Sequence, residues 1–395
     1  MVAAAIFAGS GATATSAPHL ISLEPDEKIG TSRAVVVDDT PLVHTAQLLP
    51  LNQSGELAAK GNITEQTSKV LGNLRMVLSA NKSELQQVVK LNVYLARAED
   101  LPSVQKVLAE TIVGPLKPAS CFVIGVLSNP DALVAMDAVA IGGLPEPGIK
   151  PISKPALYEQ RGIRSAATLP AGSKVYVSGM ADTNDLPVAT RRTLEKLASA
   201  IDHLGIDRKD IVQLKAFLQP MSEALVVTKA IADFFDGNAP PTVLVEWISP
   251  PPNPPIEIEL IAAAKQDARK EMNSVSFLTP PGTTSTKVFS RVVRINHGRL
   301  IYFSGLHGRM PNDPGAEIKD IFRSIEGLLA TKDSDMEHLV KATYYVSDDE
   351  ASNKLNEIRP EFFKPESPPA ASKAKVRSTG FADKSITIDM IAVTR

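Results

Sequence analysis

Two carboxylates, Glu257 and Glu259, alternate with Ile256 and Ile258. Residues two apart in a strand share a face, so both acids point one way and both isoleucines the other. A carboxylate held on such a face can shuttle a proton, although the alternation alone requires only a half-buried strand with one polar face. Other reactive side chains are sparse. Cys121 is the single cysteine, which excludes an intramolecular disulfide and a multi-cysteine metal site and reads as a buried, inert thiol. His44 and His307 lie near small residue pairs without a second ligand at metal-binding spacing, and His203 and His338 fall at helix ends. No metal is expected, and no pattern asks for a nucleotide, flavin or other cofactor.

The elements that carry these residues recur. Residues 88–95, 211–218 and 339–346 are versions of one apolar octapeptide. Upstream of each, a strand ends in a small pair: Thr45-Ala46, Ser178-Gly179 and Ser304-Gly305. Downstream of each lies an apolar terminal strand, beginning near Val134, Ile256 and Ile386. Three landmarks in one order and spacing indicate one small domain used three times. Within a unit the reading is strand, strand, helix, strand, helix, strand, strand. In the third unit, residues 288–295 and 299–304 flank the turn-like Asn296-His297-Gly298 and read as a hairpin. Single apolar stripes (Leu71, Leu74, Val77 and Leu78; Leu194, Leu197, Ile201 and Leu204; Ile318, Ile321, Phe322, Ile325, Leu328 and Leu329) predict helices with one face on a sheet and one in solvent. The units are two-layer α+β sandwiches.

Pro- and Gly-rich stretches divide the chain into a flexible segment over 1–28, units over 29–145, 156–265 and 287–395, and a linker over 266–286. With 44% hydrophobic residues, each unit can bury its own core. The net charge of −2 and the lack of a basic cluster argue against nucleic acid as a partner. No apolar run approaches a membrane span. The Ala-rich start has no Lys or Arg before Lys28, so the expected location is cytoplasmic, with export as the alternative.

Ser178-Gly179, the 211–218 strand and above all residues 255–262 resemble the RidA/YjgF/UK114 family of reactive-intermediate deaminases. The resemblance extends to all three units and implies a chorismate-mutase-like fold, assembled as a trimer with clefts at the subunit boundaries. One chain with three copies is then expected to close as an intramolecular pseudo-trimer, monomeric as a chain, with three unlike clefts. The implied chemistry is hydrolysis of 2-imino acids and their enamine tautomers, with a small carboxylate or imine-like metabolite as ligand.

Carried over position by position, the resemblance makes Glu257 the water-positioning acid, with Ala135 and Thr387 in its place elsewhere. Ser178, Gly179, Ser304 and Gly305 match the small pair, and Asn356 matches a helix-borne Asn replaced by Gln105 and Thr228 in the other units. The family's carboxylate-gripping Arg, which follows Pro-Ala at the penultimate strand, is absent: Ser120, Thr242 and Ala371 occupy its place. Lys373 and Lys375, which share a strand face with Ala371, are the candidate replacement cations, and Thr242 and Lys373 are candidate substrate-binding residues. A cleft between units two and three is expected to combine Glu257 with Asn356, or Ser304-Gly305 with Glu257. Two functions follow: a hydrolytic imine or enamine deaminase at a cleft near Glu257, or a pseudo-trimer that binds a metabolite, or serves as scaffold, without turnover.

Overall fold

The computed structural model describes residues 20–142, 162–249, 253–265 and 273–395. The first unit contributes β1 (Leu20–Asp26), β2 (Thr31–Val37), β3 (Leu42–Thr45), α1 (Ile63–Ala80), β4 (Val88–Leu95), α2 (Leu101–Thr111), β5 (Ala119–Ile124) and β6 (Val134–Ile141). The second contributes β7 (Ala166–Leu169), β8 (Lys174–Asp182), α3 (Leu186–Asp202), β9 (Ile211–Leu218), α4 (Ala224–Phe234), β10 (Thr242–Glu246) and β11 (Ile256–Ala263). The third contributes β12 (Val275–Leu278), β13 (Val292–Ile295), β14 (Leu300–Phe303), α5 (Pro314–Ala330), β15 (Leu339–Val346), α6 (Asp349–Ile358), β16 (Ala370–Lys375) and β17 (Ile386–Val393).

The apolar stripes bury as their periodicity requires. Leu194, Leu197 and Ile201 of α3, and Ile318, Ile321, Phe322 and Ile325 of α5, pack on the outer faces of their own sheets. Leu204 lies past the end of α3 but still packs on the same core. Caps mark the starts of three helices: Asn62, Asp313 and Asp348 each accept a backbone N–H three residues on. Each unit holds a four-stranded sheet with the octapeptide strand paired parallel to the penultimate strand and antiparallel to the terminal one.

The expected hairpin is not formed. Strand β13 pairs with β8 of the second unit, whereas β14 pairs with β17 of its own unit and with β2 of the first. Likewise β7 of the second unit pairs with β3 of the first. Each unit therefore lends its leading strand to a neighbour: first to third, third to second, second to first. Every exposed sheet edge so covered is an edge removed from solvent, and the exchange closes the chain into a ring.

The inner faces of the three sheets meet around a pseudo-threefold axis. Val35, Tyr176, Val212, Val293, Tyr302 and Val340 share one core drawn from all three units. Two boundaries expected from the sequence move: β1 lies inside the segment read as flexible, and β12 lies inside the stretch read as a linker. Both extend the lent strand, since β1 pairs with β2 and β12 with β13. Most of the link between the first and second units lies outside the described residues.

Candidate functional site

The seam between the second and third units is built around Glu257. On β11 it stands opposite Ala181 of β8 and Phe217 of β9. Its carboxyl lies against the Cα of Gly179, where a Cβ would come within 2.1 Å of Oε1. Only glycine leaves that space, so the small pair matters because its second member seats the acid. Across the seam, the Ser372 hydroxyl accepts the Gly179 N–H at 3.2 Å and donates to Glu257.

Arg291, just before β13, enters the same cleft. Its Nη1 donates to the Gly179 carbonyl at 2.8 Å, its Nε donates to the Thr284 carbonyl at 3.2 Å, and it lies over the Phe289 ring. Burial, then the neighbouring Glu259, pushes the Glu257 carboxyl up to about 7, while Ser372, Lys341 and Arg291 pull it back. A carboxyl poised near neutrality, in a cleft of about 680 Å³ with a guanidinium on its wall, can both take and return a proton.

The other sequence candidates take different places. Ser178 Oγ donates to the Ser290 carbonyl at 2.6 Å and accepts the Ala371 N–H at 2.8 Å. Ser304 repeats this at the next seam, accepting the Ser120 N–H at 2.7 Å and donating to the Ser32 carbonyl. Both hydroxyls stitch one unit to the next. Lys373 does share the outward face of Ala371, but it donates to Ser352 at 2.8 Å and Asn356 at 3.2 Å on α6. Asn356 also accepts from Arg359, so it braces these cations beside the seam. Of the two expected partners for Glu257, Asn356 lies on the third unit's side of this boundary but not among the residues lining the cleft, and Ser304-Gly305 lines the cleft of the third–first seam.

Sequence reasoning missed Arg291 because it sought the cation on the penultimate strand. A signal existed: Ser32-Arg33 and Ser290-Arg291 recur at the start of the lent strand, and the arginine carbonyls accept the N–H of Ser304 and Ser178 in turn.

The seam between the third and first units keeps the frame and loses the acid. A Cβ at Gly305 would meet Thr387 Oγ1 and Cys121 Sγ, each at 2.7 Å, so Thr387 sits where Glu257 sits in the neighbouring seam. Burial pushes the Cys121 thiol up to about 12, out of reach of thiolate chemistry. The cleft here measures about 940 Å³.

The seam between the first and second units is filled. Residues 47–62 span the gap that 180–185 and 306–313 span elsewhere, and they fold into it. Gln47 donates its backbone N–H to the Thr242 carbonyl and its side chain to the Leu244 carbonyl, while Leu49 and Leu51 pack with Phe217, Val243 and Val245. Thr242 is thus buried in a closed seam, its hydroxyl spent on the Pro240 carbonyl at 3.0 Å, and does not replace an anchoring cation. Ala46 and Ala135 stand where Gly179 and Glu257 stand in the open cleft.

The family model described as Endoribonuclease L-PSP matches residues 27–142, 158–264 and 283–394. Among curated relatives, the RutC family protein UK114 of Drosophila melanogaster is 33% identical over 112 residues, covering 28% of this chain and 79% of that protein. The 3-aminoacrylate deaminase RutC of Acinetobacter baylyi is 28% identical over 99 residues, covering 25% of this chain and 78% of that protein. A solved structure from the Rid protein family, YyfB of Yersinia pestis, is 25% identical and covers 31% of this chain and 98% of that one, with a TM-score of 0.27.

Proposed function

The chain belongs to the Endoribonuclease L-PSP family in three tandem copies, and on that premise we propose that its second–third seam hydrolyses small 2-imino or enamine carboxylates to the oxo compound and ammonia. The observation that carries this is the Glu257 carboxyl seated on Gly179 with Arg291 beside it. A relative at 28% identity is named a 3-aminoacrylate deaminase, an enamine chemistry of the same kind.

Arg291 pairs with the substrate carboxylate and fixes the C=N carbon near Glu257. Glu257, as carboxylate, takes a proton from water while the water oxygen bonds to that carbon. The proton passes to nitrogen; Glu257, again a carboxylate, then takes the hydroxyl proton as C=O forms and delivers it to nitrogen as the C–N bond breaks, so that ammonia leaves and the carboxylate is restored. Imine plus water thus gives oxo acid plus ammonia. For an enamine, Glu257 in its protonated form first protonates the carbon that becomes CH2 or CH3 in the imine. Both forms coexist when the group titrates near 7. An RNA substrate finds less support, because the net charge is −2 and Arg291 is committed to one small recess.

The test is to generate 2-iminobutyrate with an amino-acid oxidase, trap it with semicarbazide, and measure diversion to the free oxo acid. Wild-type protein diverts the flux, Glu257→Ala abolishes this, and Arg291→Ala lowers kcat/KM by about 10- to 100-fold, the value of a charge-assisted contact. Wild-type protein without effect leaves only metabolite binding without turnover, and a Glu257→Ala variant with full effect removes the acid from the reaction.

A further inference from the structure

We propose that the third–first seam is a separate, non-hydrolytic site for an aromatic carboxylate whose ring carries a hydroxyl or N–H donor. The frame is that of the hydrolytic seam, but two positions differ. Thr387 replaces the acid, so no carboxylate activates water there. His307, two residues past Gly305, stands where Ala181 stands two residues past Gly179.

The imidazole is fixed in one form. Its Nδ1 lies 3.2 Å from the Ile386 carbonyl, which can only accept, so Nδ1 carries the proton and Nε2 is left as an acceptor at the cleft wall. Burial holds the ring down to about 4, so it stays neutral at ordinary pH. A neutral acceptor selects a ligand that brings its own donor.

The surroundings select a ring. Phe381, 36% exposed at the mouth, meets His307 edge to face at 4.7 Å, and Phe122 of the first unit lines the same cleft. Together they offer an aromatic shelf where the hydrolytic seam has Ala181 and Lys373 at the positions matching His307 and Phe122. For the carboxylate, Arg323 on α5 faces the cleft and has no ion-pair or hydrogen-bond partner among the described residues. Arg33, the counterpart of Arg291, is already engaged with Glu24 and Ser324, and Arg309 with Asp320.

Calorimetric titration of the full chain with 4-hydroxyphenylacetate and phenylacetate tests this. Each is expected to bind once per chain, unchanged in Glu257→Ala and Arg291→Ala, with the hydroxylated acid tighter by about tenfold, the value of one hydrogen bond. In His307→Phe, which keeps a ring and removes the acceptor, that preference should fall to near unity while phenylacetate affinity holds. Arg323→Ala, at an exposed position of α5, should weaken both acids about tenfold and leave imine hydrolysis unchanged. Failure of either acid to bind at millimolar concentration overturns the proposal, as does binding that is lost in Arg291→Ala, or a preference that survives in His307→Phe. Should His307→Phe not fold, an unaltered affinity in Arg323→Ala overturns it by itself.

Discussion

Glu257 and Gly179 act as one device at the residue scale, since the acid occupies the volume that any side chain at 179 would claim. Gly179→Ala should therefore displace the carboxyl and cost as much deamination as Glu257→Ala, with the fold retained by circular dichroism. The acid also leaves a pH signature. Its folded value, about 7, is raised above the ordinary 4.5, so the folded state holds the extra proton between these values. The stability this group contributes is full below pH 4.5 and is lost as pH rises through 7. Glu257→Gln should accordingly leave thermal stability unchanged at pH 4 and raise it by up to about 2 kcal/mol at pH 8, from roughly 1.4 kcal/mol per unit less solvent screening. A variant equally stabilised at both values would show that the Glu257 carboxyl does not take up its proton between them. The acid was legible because strand alternation exposes it. The cation was not: strand parity rightly put Lys373 on the face of Ala371, but that face meets α6, and the guanidinium arrives from a loop whose side-chain direction no periodicity encodes.

At the scale of elements, triplication and helix faces were plain in the sequence because both rest on local spacing. Strand exchange was not, because Asn296-His297-Gly298 turns the chain equally well whether the flanking strands pair with each other or with separate sheets. What decides is the uncovered edge offered by the next unit, a non-local quantity. The filling of the first–second seam was likewise hidden, although the longer stretch over residues 47–62 was countable. That stretch carries structural weight only. Leu51, 5% exposed among Phe217, Val243 and Val245, should cost about 2–4 kcal/mol of stability when changed to Ala, read from the urea midpoint. The same variant should deaminate at the wild-type rate under native conditions; a matching loss of activity would mean that the filled seam takes part in catalysis.

For the whole molecule, closure is marked by charge at the axis. Asp137, Glu259 and Asp389 hold one position in the three terminal strands, a recurrence that the Glu257 position lacks. Each faces a lysine from the next unit round the ring. Lys90 of the first reaches Asp389 of the third at 2.7 Å, and Lys341 of the third reaches Glu259 of the second at 2.6 Å. Lys215 of the second acts on Asp137 of the first. Burial pulls the Lys215 pKa down, but Tyr345, Glu259, Asp137 and Asp389 raise it overall, so it stays charged. The order of these pairs is the order in which leading strands are lent, so pairing and strand exchange specify the same ring. Buried pairs of this kind are costly to break and cheap to replace whole, because the penalty lies in the charge left alone. Lys90→Met should destabilise by about 3–5 kcal/mol, since Asp389 and the Phe303 carbonyl both lose their donor. Adding Asp389→Leu should recover most of that loss, which a double-mutant cycle from denaturant unfolding would measure as a coupling of about 2 kcal/mol or more. Because the units are tethered, the recovered variant should still close; light scattering that shows it associating between chains would mean that the axial charges, and not the seams alone, keep each unit with its own neighbours.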